Sequence, residues 1–421
     1  MDRGQVEHEV KQNLFTQTLE RLGAESRMKF SRDRFAHALA ALDHPEAGLR
    51  TIVIAGTNGK GTVSLLVSAG LRAAGYRVQT YLSPHLQHPR ERFLENGEPA
   101  SLEELNALTA TCAPVAEAYD LSYFEFLTLL AFQRARETQP DYLVLEVGMG
   151  GRLDATNVTE PVATAITNIA FDHQAYLGDT LDKILTEKMG ILRPGVPVFT
   201  QLSEPLRPQL ESHAEGQSIA VHYADDVQPQ RLRLDWEGQE ALLDGHVFRL
   251  TNPSHGTLLN AALAYQLLRH TADIPVPVLQ RAFAGSHNAG RFETVQRQPR
   301  VVLSGDHNPA GIAVLTEVLE TLGQKVYVVC GFSPDKPHAA MVESLRPWAK
   351  RLWLTSIADK RAELPAGYTT LADYIPDART AVQKALEHCG PEDTLLVTGS
   401  LYLVGEVRGM WFKGTEEKLS P

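Results

Sequence analysis

Gly56, Thr57, Asn58, Gly59, Lys60, Gly61 and Thr62 follow directly on five residues of β character, Thr51-Ile52-Val53-Ile54-Ala55. Glycines let a backbone bend until several N–H groups face one anion, and a helix starting there adds the positive end of its dipole. A lysine in such a turn brings a full charge to the β- and γ-phosphates, and a following hydroxyl reaches the metal. Lys60 and Thr62 have those types. The spacing departs from the common G-x-x-x-x-G-K-[ST]: Ile54 holds the first glycine position, and Gly61 separates Lys60 from Thr62. Val63, Leu65, Leu66, Val67, Ala69, Leu71, Ala73 and Ala74 then predict an apolar helix. A ligand-free glycine turn is the bland alternative; the strand before and the helix after favour a phosphate site.

The elements that must position this turn alternate. Leu14, Leu19, Leu22, Phe35, Leu39 and Leu42 give helices over about 10–48, interrupted by the charged stretch 28–35. A strand over 78–82 runs into Ser83-Pro84-His85-Leu86. Helices follow over 102–119 and from Phe124 onward. Strands over 142–147 and 162–169 end at Glu146 and near Asp172-His173. Alternating strands and helices predict a parallel sheet, whose ligands collect at the carboxyl ends of the strands. Ser83, Glu146 and His173 are therefore expected beside Lys60, where oxygen-rich groups and phosphates suit Mg²⁺. A strand-end carboxylate can equally be a cap, and a lone histidine can be structural. Lys188, in Glu187-Lys188-Met189-Gly190-Ile191, reads by position alone as a solvated helix lysine.

Over 200–250 the pattern changes. Residues 231–236 and 246–250 alternate and predict short antiparallel strands joined through Asp244-Gly245. A helix rich in small residues begins at Leu258 and carries Asn260. The polar run Gly285-Ser286-His287-Asn288-Ala289-Gly290-Arg291-Phe292 marks a boundary and a hinge. Beyond it, strands over 300–303, 326–330, 352–355 and 394–398 make a second, smaller α/β domain. The division expected is 1–288 and 289–421.

The chain of 421 residues has a formal net charge of −11, which argues against a nucleic-acid partner but not against a small anion bound at a local positive site. Cys112, Cys330 and Cys389 lie far apart with no metal spacing, as reduced thiols do. The charged start Met1-Asp2-Arg3-Gly4-Gln5-Val6-Glu7-His8 is no signal peptide, and no apolar run is long enough to span a bilayer. These features predict a cytoplasmic protein with no membrane partner; it is taken as a monomer.

G-T-N-G-K-G-T at 56–62 resembles the Mur-ligase superfamily, and within it the folylpolyglutamate synthase/dihydrofolate synthase branch. Four further motifs match in order: Ser83-Pro84-His85-Leu86; Phe124-Glu125-Phe126-Leu127-Thr128; the E-V-G-x-G-G-R-L-D-A-T-N run from Glu146 to Asn157; and Asp172-His173 followed by L-G-x-T-L and E-K-x-G-I. Gly290-Arg291-Phe292 and Gly399-Ser400-Leu401-Tyr402-Leu403-Val404-Gly405-Glu406 extend the likeness over nearly the whole chain. The resemblance implies an α/β chain: a parallel-sheet, P-loop ATPase-like N-terminal domain with a small antiparallel β insertion, then a Rossmann-like C-terminal glutamate-ligase domain.

It implies an ATP-dependent ligase that adds L-glutamate to dihydropteroate, to reduced folates, or to both, through an acyl phosphate. Thr57, Asn58, Gly59, Lys60, Gly61, Thr62, Asn260, Arg291, Ser304 and Asp306 would bind ATP, with Asn260 and Arg291 on two sides of an interdomain cleft. Ser83, Glu146, His173 and Lys188 would hold two Mg²⁺, with K⁺ as an optional further ion, and Lys188 would carry a CO₂-derived carbamate. Lys60, Lys188 and His173 would be catalytic. Ser122, Tyr123, Phe124, Glu125, Leu153, Asp154 and Ala155 resemble pterin-site segments, and residues 28–35 border that site. One departure is plain: the family's D-[GVS]-A-H-N-P reads Ser304-Gly305-Asp306-His307-Asn308-Pro309 here. Side chains at i and i+2 of a strand share a side, so Asp306 is expected to compensate and Ser304 to matter little. A different Mur-type amino-acid ligase is the alternative within the superfamily, although only about fifty residues precede the loop. A nucleotide-gated binding protein without turnover is the alternative outside it.

Overall fold

The computed structural model describes residues 13–23, 32–357 and 367–412. The stretch 28–31, expected to border a pterin site, lies outside them, as does the charged N-terminal start. Two compact units emerge. One gathers the residues up to Val227 with Asn260–Ala282; the other gathers Gln228–Leu259 and the residues from Phe283 on.

The first unit is built on eight strands: β1 (Thr51–Ala55), β2 (Val78–Tyr81), β3 (Phe93–Glu95), β4 (Glu98–Pro99), β5 (Tyr142–Glu146), β6 (Pro161–Ile166), β7 (Val198–Thr200) and β8 (Val221–Tyr223). Their order is β4-β3-β2-β5-β1-β6-β7-β8. Pairing is parallel from β2 to β8, with the β3–β4 hairpin antiparallel at one edge. β1 and β5 are buried at every position. Continuous apolar runs of this kind belong to a sheet covered on both faces by helices. The four strands legible in the sequence are its centre; β3, β4, β7 and β8 are too short to leave a pattern of their own. Because β1 lies between β5 and β6, the turn after β1 meets the ends of both neighbours.

The second unit holds β9 (Gln230–Asp235), β10 (Gly238–Leu243) and β11 (His246–Leu250) in an antiparallel sheet, order β11-β10-β9. The sequence reading joined only two strands here. β10 intervenes because Gly238-Gln239-Glu240-Ala241-Leu242-Leu243 lacks β-branched residues yet pairs with both neighbours. Asp244-Gly245 does make a turn, between β10 and β11. By contact this sheet groups with the second unit instead of forming an insertion in the first. Trp236 stacks on Phe292 at 5.8 Å and its Nε1 donates to Gln324 Oε1 at 3.0 Å. The larger sheet of this unit contains β12 (Glu293–Arg297), β13 (Arg300–Ser304), β14 (Val326–Cys330), β15 (Ala349–Leu354), β16 (Asp373–Tyr374) and β17 (Thr394–Thr398), in the order β12-β13-β17-β14-β15-β16. All pairs but β12–β13 are parallel.

Candidate active site

The turn between β1 and the helix Lys60–Ala73 is held by the end of β6. Thr57 N and Asn58 N donate to the backbone and side-chain oxygens of Asn168, each at 2.8 Å. Thr167 Oγ1 donates to Asn58 O at 2.7 Å. Gly56 has φ +144°, and a Cβ there would stand 1.7 Å from Thr167 Oγ1. Gly59 caps the helix in the left-handed region, φ +89°, and a Cβ there would meet Asn260 Oδ1 at 2.5 Å. Asn260 in turn accepts from Gln201 Nε2 at 2.7 Å. Thr167 and Asn168 were not singled out in the sequence; their signal was their place, just past the strand beside β1.

Lys60 folds back on its own loop, with Nζ 3.3 Å from Gly56 O and 3.2 Å from Thr57 O. Lys188, on the helix Leu181–Met189, donates to the same Gly56 O at 2.7 Å and is 3% exposed. It is therefore not the solvated lysine its position suggested. Burial, then the charge of Lys60, brings its amine down to about 7, against the opposing pull of Asp172 and Asp154. The two long motifs interlock to aim it. Arg152 N donates to Glu187 O at 2.8 Å, and Asn157 Nδ2 to Gly190 O at 2.8 Å. Cβ atoms at Gly151 or Gly190 would collide with backbone, at 2.9 Å from Glu187 O and 2.4 Å from Arg152 Cα. These glycines are there for close packing.

Ser83 N donates to Glu146 Oε2 at 2.9 Å. The same carboxylate lies 3.4 Å from where a Cβ on Gly61 would be, against the first turn of the loop helix. Ser83 Oγ is buried and makes no hydrogen bond. An orphaned hydroxyl beside a carboxylate that is 4% exposed suits a hard cation, so the residues present fit Mg²⁺. Among the described residues no three His, Cys, Asp or Glu side chains form a metal-holding group. A cation here must complete its shell from hydroxyls, water and phosphate. His173 is exposed, with φ 50°, at the start of the short helix Gln174–Leu177.

The segments likened to a pterin site are largely committed to their own structure. Ser122 and Glu125 form a capping box at the helix Tyr123–Thr138, and Arg34 Nη2 reaches Glu125 Oε2 at 2.6 Å. Phe124 packs where Gly148 has no side chain; a Cβ there would be 2.5 Å from the ring. Tyr123 lies under the guanidinium of Arg92, 5.7 Å away. Asp154 accepts from Met149 N at 3.0 Å, Thr156 N at 3.0 Å and Thr156 Oγ1 at 2.7 Å, and burial raises its carboxyl above the usual range. Leu153 is 42% exposed and Ala155 buried. Sequence reasoning passed over Arg92, whose side chain is buried and whose Nε donates to His85 Nδ1 at 2.9 Å. Burial, then Arg92 and His88, brings His85 down to about 3.

In the second unit, Arg291, Ser304 and Asp306 do meet. Arg291 Nη1 donates to Gly305 O at 2.9 Å, Phe292 N to Ser304 Oγ at 3.1 Å, and Ser304 Oγ to Asp306 Oδ2 at 2.5 Å. Asn308 caps the helix Pro309–Leu322, accepting from Gly311 N at 2.9 Å.

Two family models match the chain: the Mur ligase middle domain over residues 54–256 and the Mur ligase glutamate ligase domain over 290–401. A dihydrofolate synthase/folylpolyglutamate synthase of Bacillus subtilis is 31% identical over 401 residues, covering 89% of this chain and 93% of its own. A probable bifunctional folylpolyglutamate synthase/dihydropteroate synthase of Haloferax volcanii is 33% identical over 90% of this chain, which spans only 48% of that longer protein. Among solved structures, folylpolyglutamate synthase of Mycobacterium tuberculosis complexed with ADP and AMPPCP superposes with a TM-score of 0.85 at 26% identity, covering 94% of this chain and 99% of that one.

Proposed function

The chain belongs to the folylpolyglutamate synthase/dihydrofolate synthase family of Mur-type ligases and is an ATP-dependent ligase; from that premise we propose that it joins L-glutamate to dihydropteroate, to reduced folates, or to both. The observation that carries the reading is the buried Lys188 amine, aimed with Lys60 at the one carbonyl of Gly56. A glycine-rich turn at the end of a parallel strand, with the Lys60 charge folded on it, suits a polyphosphate, and a buried amine lowered to about 7 beside it suits a carbamate.

In the reaction proposed, a substrate carboxylate oxygen attacks the γ-phosphorus of ATP. The bond to the β–γ bridging oxygen breaks and ADP leaves. The amine of glutamate then attacks the acyl carbon, loses a proton, and the tetrahedral intermediate expels phosphate, leaving the amide. Positioning and charge dominate such chemistry. Lys60 exchanges its loop carbonyls for phosphate oxygens, and the N–H groups of the first turn of the helix Lys60–Ala73 follow the phosphates, while those of Thr57 and Asn58 stay on Asn168. Asn260 buttresses the loop at Gly59. Ser83 and Glu146 would hold Mg²⁺, which would supply positive charge against that developing on the phosphates. Lys188 would carry a carbamate: an amine lowered to about 7 offers its neutral form to CO₂ near neutral pH. His173 and K⁺ enter through the family likeness alone. Tyr123, Phe124 and Leu153 are the side chains left to face a pterin, while Ser122, Glu125, Asp154 and Ala155 shape the walls behind them. Arg291 and Asp306 belong to the nucleotide's contacts, with Ser304 bonded to Asp306 behind them. The working division is 1–288 for ATP chemistry and 289–421 as the glutamate-ligase part; the family models at 54–256 and 290–401 support it.

The test is direct. The protein is incubated with ATP, Mg²⁺ and glutamate, offered dihydropteroate or a reduced folate, and the product identified by mass. A glutamyl adduct with phosphate release is the expected result. Ligation of a different acid would transfer the reading to another Mur-type ligase. Phosphate release that ignores glutamate, or none at all, would leave a nucleotide-gated binding protein.

A further inference from the structure

We infer that Ser304 is a positioning residue for Asp306, and that of the two only Asp306 presents its side chain to the nucleotide. The inference rests on the ligase reading and refines its nucleotide contacts. Ser304 is the last residue of β13 and is 2% exposed. Its hydroxyl is committed: it accepts from Phe292 N and gives its only proton to Asp306 Oδ2. It has no donor left for a ligand, and almost no surface to meet one.

Asp306 is differently placed. It lies two residues past the sheet edge, half-buried, at the entry to the helix Pro309–Leu322. β17, the last strand, returns to lie beside β13; the chain leaving β13 runs past it to β14, while the helix after β17, Leu401–Arg408, packs back on β13, so the two connections leave in opposite directions at this point. Ligands of open α/β sheets gather at such points, outside the carboxyl ends of the strands. Oδ1 of Asp306 stands 3.4 Å from the Cβ position of Gly311, by the first turn of the helix, where the dipole favours an anion. Burial raises its carboxyl above the usual range; the Ser304 hydroxyl, the Arg291 charge and the His307 charge oppose that. The Ser304 bond thus does two things. It keeps one oxygen turned inward, leaving the other for a ligand donor such as a ribose hydroxyl. It also holds the carboxyl ionised at lower pH than burial alone would allow. On this view Ser304→Ala does matter, against the expectation from sequence.

The experiment measures ATP affinity by calorimetry, so that it does not depend on turnover, in wild type, Ser304→Ala, Asp306→Asn and the double variant, from pH 5 to 8. Ser304→Ala is expected to weaken ATP binding about tenfold, the effect of losing one hydrogen bond to a charged group. Its acid limb should move to higher pH, because the proton donor that lowers the carboxyl is gone. Asp306→Asn should weaken binding at least as much and remove the limb. The double variant should be no worse than Asp306→Asn, since Ser304 acts only through Asp306. Unchanged affinity in Ser304→Ala, or additive losses in the double variant, would overturn the inference and leave the ligase reading standing. A wild-type protein that does not bind ATP would overturn both.

Discussion

Lys60 and Lys188 share one acceptor, the carbonyl of Gly56. Two ammonium groups so close repel each other, and Lys188 yields because it is the buried one. On the proposed mechanism Lys60 works only when phosphate draws it off the loop. Its two hydrogen bonds go to a half-exposed turn, so little of the fold depends on it. Lys60→Ala is expected to abolish glutamate ligation while the melting temperature stays within a few degrees of wild type, as a ligase assay and a thermal melt will show. Lys188 follows a different rule. CO₂ adds to a neutral amine, and the neutral form predominates above about pH 7. Lowering the pH protonates the amine and blocks addition. Lys188→Ala should therefore lose activity and recover part of it with added short carboxylic acids, which replace the missing carbamate oxygens. No recovery, with an unmodified amine in bicarbonate, would remove the carbamate from the mechanism.

At the scale of elements, the site depends on how closely the turn 148–157 packs on the end of the helix Leu181–Met189. Gly190 is the contact point: a Cβ there would sit 2.3 Å from Arg152 Cβ and 2.8 Å from Arg152 N. Backbone cannot step aside as a side-chain tip can. Gly190→Ala is expected to cost about 1–3 kcal/mol in denaturant unfolding. It should also cut ligase activity by more than its stability loss implies, because the displaced helix end carries Lys188. A fully active variant with unchanged stability would show that the helix end tolerates the shift.

At the scale of the whole molecule, partly buried histidines that stay neutral tie stability to pH. His85 is lowered to about 3, His88 to about 4, and His222 is lowered by burial and by His270. Above the unfolded value near 6.5 both states are neutral and nothing is lost. Below it the unfolded chain binds protons that the folded one refuses, so stability falls until the pH passes the folded values. Thermal melts should decline steadily from pH 7 to pH 4. His222 stacks on Phe199 at 4.8 Å, and its Nε2 is buried without a hydrogen bond. His222→Phe should keep the stacking, remove one titrating group and flatten part of that decline. An unchanged slope would place the acid sensitivity elsewhere.

The sequence by itself determined the parts whose physics is local. A glycine turn between a strand and a helix must present amides, wherever it lies in a fold. Alternating periodicity was enough for a parallel sheet, and strand ends were enough to bring Ser83 to Glu146. A spacing of two was enough to bring Ser304 and Asp306 together, although β13 ends at Ser304. What tertiary structure alone decided was direction and commitment. Lys188 turns inward onto Gly56 because the glycines at 151 and 190 let the helix end settle on Arg152, 132 residues from its acceptor. β10 exists because two neighbours pair with it, not because its residues favour a strand. The antiparallel sheet groups with the second unit because Trp236 finds Phe292. The hydroxyl of Ser304 faces the protein because Phe292 N and Asp306 claim both its roles. Such outcomes depend on which distant surfaces meet, and no pattern within a single segment encodes that.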